Sequence, residues 1–252
     1  HSLVGQTITE NGLGGHDALE LFQKYLATSC ISTDHPRYLA FIPSAPSEYA
    51  SLFDLVVAAT SLYGGSWLEG AGAVYAENQA LRWISDLAKF PETAGGVFVQ
   101  GGTVGNLSAL VAARFHAKKE FGSSKRWVIA CSEDAHSSIA AAADVMDVEI
   151  LPTETDEVGK LTGTKAYEAI TKFENENSNH KVFALVGTAG TTNLGIIDDL
   201  NGLADAASKL KIWFHVDGAY GLAALAAPSV RELFNGVERA DSLIVDPHKW
   251  LF

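Results

Sequence analysis

The stretch Val182-Phe183-Ala184-Leu185-Val186, the small-residue segment Gly187-Thr188-Ala189-Gly190-Thr191-Thr192-Asn193, a helical pattern over 200–210 and Ile212-Trp213-Phe214-His215-Val216-Asp217 decide the fold. Two short apolar runs rich in β-branched and aromatic residues flank one amphipathic segment. Runs with no solvated face read as strands covered on both sides, and a strand–helix–strand order reads as parallel pairing.

The same rhythm extends outward in both directions. The other β-rich runs are Val97-Phe98-Val99, Trp127-Val128-Ile129-Ala130, Val148-Glu149-Ile150-Leu151 and Ser242-Leu243-Ile244-Val245. Helical patterns fall near 106–121, 137–145, 164–175 and 230–234, and earlier over 47–63 and 74–89. Residues 1–46 read as an arm: an amphipathic helix near 17–27, then the extended stretch His35-Pro36-Arg37-Tyr38-Leu39-Ala40-Phe41-Ile42-Pro43. The expected fold class is therefore α/β: a mostly parallel sheet with helices on both faces over 47–252, preceded by a helical arm.

Composition bounds the function. Eighteen Lys and Arg against 30 Asp and Glu give a net charge of −12. No basic cluster offsets that charge locally, so nucleic acid is disfavoured as a partner. Hydrophobic residues make up 47% of the chain, enough to bury a core. No apolar run approaches the ~18–20 residues of a membrane span. The chain begins with His1 rather than Met, and no signal peptide is visible. Cys30 and Cys131 are too few for a disulfide framework and read as small core residues in a reducing, cytoplasmic compartment.

In parallel sheets chemistry collects beyond the carboxyl ends of the strands. After Val99 come Gln100-Gly101-Gly102-Thr103-Val104-Gly105-Asn106 and a helix, a glycine turn whose free N–H groups suit a phosphate, or simply a turn. Neither a complete dinucleotide fingerprint nor a P-loop is present. After Ala130, Cys131-Ser132-Glu133-Asp134-Ala135-His136-Ser137-Ser138 puts an imidazole at the active edge without the spacing of a metal site. His215 and Asp217 lie two apart on one strand face, and a buried acid there calls for a cationic partner. Asp246-Pro247-His248-Lys249-Trp250 places an amine at the last strand end. Each of these is compatible with a turn, a cap or a salt bridge. Together, a glycine phosphate turn, a histidine, a strand-end acid and a lysine match the needs of pyridoxal phosphate.

Gly101-Gly102-Thr103 with Asn106-Leu107, Asp134-Ala135-His136-Ser137-Ser138, Gly190-Thr191-Thr192, His215-Val216-Asp217-Gly218-Ala219-Tyr220 and Pro247-His248-Lys249-Trp250 carry a resemblance. They resemble, over nearly the whole chain, the group II pyridoxal-phosphate-dependent amino-acid decarboxylases, of the aromatic-L-amino-acid and glutamate decarboxylase type. The resemblance implies fold type I, a homodimer and an amino-acid substrate losing CO₂ to give an amine. It implies Lys249 as the lysine joined to the cofactor, Asp217 on the pyridine nitrogen, and His136 and Ala219 on opposite ring faces. It further implies Gly102, Thr103 and His248 near the phosphate and Thr192 along the cofactor, with residues 35–43 and Trp67 in the substrate wall. Lys249, His136 and Asp217 are then the catalytic set, and no metal is expected.

Three departures accompany it. Asp246 stands where many members carry Asn, and is expected to turn away from the phosphate toward backbone N–H groups. Gly218 replaces the usual Ala and is expected to loosen packing. The family's small domain, mobile loop and carboxylate-binding Arg are expected beyond these 252 residues. Other outcomes on the same scaffold stay open: aldehyde-forming oxidative decarboxylation, glutamate-type decarboxylation, a lyase, or a non-catalytic fragment. Tyr38, Phe41 and Trp67 point to an aromatic substrate, whereas Arg37 alone is thin support for an acidic one.

Overall fold

The computed structural model describes residues 5, 8–38, 44–122 and 124–251. Its centre is one five-stranded sheet, all parallel, in the order β2-β1-β3-β4-β5. The strands are β1 (Arg126–Ser132), β2 (Glu149–Thr153), β3 (His180–Thr188), β4 (Trp213–Asp217) and β5 (Ser242–Ile244). Helices α4 (Gly101–Phe121), α5 (Ser137–Met146), α6 (Gly163–Glu176) and α7 (Leu200–Leu210) flank them. After β1 the chain moves outward to β2, then returns past β1 to β3. That reversal opens a crevice at the carboxyl ends of β1 and β3, where open parallel sheets take their ligands.

Alternation along the strands divides the core in two. Val128 and Ala130 of β1 join Ala166, Ile170, Leu200 and Leu203 of α6 and α7 on one face. Trp127, Ile129 and Cys131 join Leu110 and Ala113 of α4 and Ile139 and Ala142 of α5 on the other. On β3 the alternation slips: Phe183 and Ala184 both belong to the second cluster. The β1–β3 register jumps there, with Val128 opposite Val182 and Ile129 opposite Ala184. The extra residue is a bulge that resets the phase, so Leu185 returns to the first face and Val186 to the second.

Several sequence expectations are corrected. Val97-Phe98-Val99 forms no strand: it pairs with none among the described residues, and the N–H of Phe98 bonds Glu77 Oε1 at 3.1 Å. Helix α4 begins at Gly101, five residues earlier than expected, so the glycine turn is the helix's own first turn. The pattern near 230–234 is a 3₁₀ helix, Pro228–Phe234. The arm helix is split into α1 (Gly15–Leu21), a π turn (Phe22–Leu26) and a 3₁₀ turn (Ala27–Ser29). Cys30 is exposed and only Cys131 is a core residue, with both thiols free. Residues 39–43, including Phe41, lie outside the described residues.

Helices α1, α2 (Glu48–Thr60) and α3 (Trp67–Leu87) contain no buried residue. Their exposed side chains include Leu52, Phe53, Leu55, Trp67 and Trp83. No described helix is long and apolar enough to cross a membrane.

Candidate active site

The first turn of α4 is positioned by glycine. Gly101 has φ +82°, which allows the sharp entry from Gln100. A Cβ on Gly102 would touch Ala219 Cβ at 3.4 Å, and one on Gly105 would press on Ile244 Cγ2 at 3.2 Å. Small residues thus let the helix start lie directly over the ends of β4 and β5. Gln100 offers no side-chain cap, which leaves the first N–H groups and the positive end of α4 to an anion.

Beneath it is Asp217, the last residue of β4 and 5% exposed. The expected cationic partner is not what meets it. Its Oδ2 accepts from Asn106 Nδ2 at 2.9 Å, and its Oδ1 accepts from the Ala219 N–H at 3.2 Å. Asn106 lies one turn of α4 beyond Gly102 and is itself buried. His215, on the same strand face, bonds Asn106 Oδ1 through Nε2 at 2.8 Å. Complete burial pushes its imidazole down to about 4, against the opposing charge of Asp217, so it is neutral at neutral pH.

His136 is the N-cap of α5: its Nδ1 accepts from the Ser138 N–H at 3.1 Å. Across the crevice, Asp198 ties down the end of β3. Its Oδ2 accepts from the Thr188 N–H at 2.7 Å and its Oδ1 from the Leu161 N–H at 2.8 Å. Burial nonetheless pushes this carboxyl up to about 6. The Cys131 thiol, pushed up to about 12 by burial, is unreactive.

Gly102, Thr103, His136, Thr192, Asp217, Ala219 and Lys249 line one cavity of about 210 Å³. His248 does not line it and is exposed, and Trp67, with the described part of 35–43, stands apart from it. Thr188, Tyr220 and Asp246 also contribute to its wall. Asp246 has not turned away: it faces the cavity, makes no side-chain cap bond, and its Oδ2 stands 3.8 Å from Lys249 Nζ. Nor does Gly218 leave space. A Cβ there would fall 2.0 Å from Leu222 Cγ, because that buried side chain fills the place. Asn106 and Ser138, quoted in the motifs without a role, proved to be part of the wall; the i, i+4 spacing of Gly102 and Asn106 marks one helix face. Among the described residues the one group with metal-ligand spacing is His16, Asp17 and Glu20, exposed on α1 and not lining the cavity.

The arrangement offers helix N–H groups for a phosphate, a buried acceptor for a protonated ring nitrogen and an amine in one cavity. Lysine, carboxylate and helix start fit pyridoxal phosphate in kind and number. The model of the pyridoxal-dependent decarboxylase conserved domain matches residues 7–252. An aromatic-L-amino-acid decarboxylase of Bacillus atrophaeus is 33% identical over 98% of this chain and 51% of its own length. The glutamate decarboxylase domain of a Vibrio parahaemolyticus protein superposes with a TM-score of 0.92 at 31% identity, over 99% of this chain and 57% of that one. The 4-hydroxyphenylacetaldehyde synthase of Rhodiola rosea gives 0.90 at 26% identity, over 99% and 56%. The chain thus spans about half the length of the relatives it matches.

Proposed function

The chain belongs to the pyridoxal-dependent decarboxylase family, and from that premise we propose that it binds pyridoxal phosphate and serves the decarboxylation of an aromatic L-amino acid to its amine. The observation that carries the proposal is the convergence of Lys249, Asp217 and the α4 start on one cavity. When bound, the cofactor supplies an electron sink for the pair left as CO₂ departs. Asp217 holds a proton at the ring nitrogen, its carboxylate oriented by Asn106 and the Ala219 N–H. His136 and Ala219, both in the cavity wall, would confine the ring. Gly102 and Thr103 would present N–H groups to the phosphate and Thr192 would line its edge, while His248, outside the cavity, would have to turn inward to reach it. Lys249 would provide the amine that holds the cofactor.

The aromatic preference is supported by the Bacillus relative, and a homodimer by the apolar side chains left uncovered on α2 and α3. The free cysteines fit a reducing cytoplasm. The test uses the full-length protein: borohydride reduction should fix the cofactor to the peptide bearing Lys249, and aromatic amino acids should release CO₂. Label on Lys209 or Lys211, or no CO₂ from any aromatic amino acid, overturns the reading. Likeness to the Rhodiola synthase favours a second outcome, an aldehyde product; ammonia and peroxide appearing with CO₂ would identify it.

A further inference from the structure

We infer that Asn106 is a positioning residue of the site, joining the carboxylate of Asp217 to the ring of His136 through one continuous, one-way chain of hydrogen bonds. The inference rests on the cofactor reading of Asp217 and His136.

The chain begins at Trp213, whose indole can only donate. Its Nε1–H meets Ser242 Oγ at 2.8 Å. The Ser242 hydroxyl, having accepted there, gives its own proton to His215 Nδ1 at 2.8 Å. His215 is fully buried, and burial keeps it neutral. With Nδ1 accepting, its single proton sits on Nε2 and is donated to Asn106 Oδ1 at 2.8 Å. The two amide hydrogens of Asn106 then go to Asp217 Oδ2 at 2.9 Å and Ser138 Oγ at 2.8 Å. The Ser138 hydroxyl passes its proton to His136 Nδ1 at 2.8 Å, which also accepts the Ser138 N–H. Nε2 is the nitrogen of His136 left to carry a proton.

Each link runs from a donor to an acceptor, and at the last one His136 Nδ1 accepts twice, from the Ser138 hydroxyl and from the Ser138 N–H. Turning the Asn106 amide over would set its oxygen against the Asp217 carboxylate and its NH₂ against the Nε2–H of His215. The charge of Asp217 forbids the first, and two facing donors forbid the second. Asn106 is 1% exposed and both ends of its amide are satisfied, so the node is rigid as well as directed. Without it the Ser138 hydroxyl is free to turn, the Nε2–H of His215 loses its acceptor, and Asp217 keeps one anchor of two, while the Ser138 N–H still holds Nδ1 of His136 as an acceptor.

The test is nitrogen NMR on histidine-labelled full-length protein, freed of cofactor and then reloaded. In the unchanged protein His136 and His215 should each show a protonated Nε2 and a bare Nδ1. Asn106→Ala leaves the Nε2–H of His215 without an acceptor and should move His215 toward a mixture of tautomers, while His136 keeps a bare Nδ1 under the Ser138 N–H. Ser138→Ala cuts only the last branch and should leave both rings as they are; Ser242→Ala removes the other side-chain partner of His215 and should leave its proton on Nε2, held by Asn106, and it serves where Asn106→Ala fails to fold. An unchanged His215 tautomer in Asn106→Ala, or a His215 proton that moves to Nδ1 in Ser242→Ala, overturns the inference. An expected tautomer pattern in a protein that binds no pyridoxal phosphate overturns the cofactor reading instead.

Discussion

Lys249 and Asp246 stand three residues apart with Nζ 3.8 Å from Oδ2, and both face the cavity. The cavity therefore carries a carboxylate beside the amine, in the space where a phosphate-bearing ligand would lie. Asp246→Asn removes one negative charge from that space. The dissociation constant of pyridoxal phosphate should fall about fivefold, the equivalent of roughly 1 kcal/mol for a partly screened charge. Spectroscopic titration checks it, and the gain should shrink as salt is added.

Asp217 separates binding from chemistry. Asp217→Asn keeps the shape but exchanges a charge for a dipole. Turnover in the full-length protein should drop roughly 100- to 1000-fold, the scale of losing one preorganised electrostatic group, while cofactor affinity changes far less. Steady-state rates beside cofactor titration decide it; near-normal decarboxylation would refute the assigned role.

Gly218→Ala tests the packing under the site. Leu222 occupies the place a Cβ would take. Overpacking of this kind costs about 1–3 kcal/mol, and denaturant unfolding should show it as a lower midpoint at unchanged slope. Shortening the obstacle in Gly218→Ala/Leu222→Ala should remove the clash, so the pair should cost less than the sum of the singles.

Two buried groups give opposite acid responses. His215 is depressed to about 4 from 6.5, so its neutral burial favours the fold above the unfolded value, and that advantage is lost as pH falls from about 6.5 to 4. Asp198 is raised to about 6 from 3.8, so the folded state takes up a proton first and is favoured increasingly as pH falls through the same range. In the unchanged protein the two slopes largely cancel. His215→Gln should make stability less acid-sensitive than that of the unchanged protein, and Asp198→Asn more so. Each difference should approach at most roughly 1.4 kcal/mol per pH unit, measured by unfolding at successive pH values.

The parts of this molecule that were legible in its sequence are those set by local pattern. β1, β3 and β4 declare themselves because burial on both faces leaves no polar alternation, and Asp217 and Lys249 follow from where parallel strands end. Val97-Phe98-Val99 is equally apolar, but a strand needs a partner, and pairing is decided far away in the chain. Gly101-Gly102 read as a turn because glycine weakens helices. Its presence in α4 answers to Ala219 and Ile244, which no local window contains. Asp217 was legible as a buried acid at a strand end, yet a cation is the partner its burial predicts, whereas an amide and a backbone N–H serve it. Gly218 read as a loosened position because Leu222, four residues on, was not known to fold back over it.

The bond between Asn106 and Asp217 spans 111 positions, which has a consequence for synthesis. At roughly 5–20 residues per second, the amide leaves the ribosome on the order of ten seconds before its acceptor. A nascent chain halted ahead of β4 would already own the helix start and His136, yet neither the acid nor the lysine. Capture of the cofactor can therefore only reward a sheet that has already closed, and the supply of pyridoxal phosphate should govern how long the finished protein survives rather than how fast it is made.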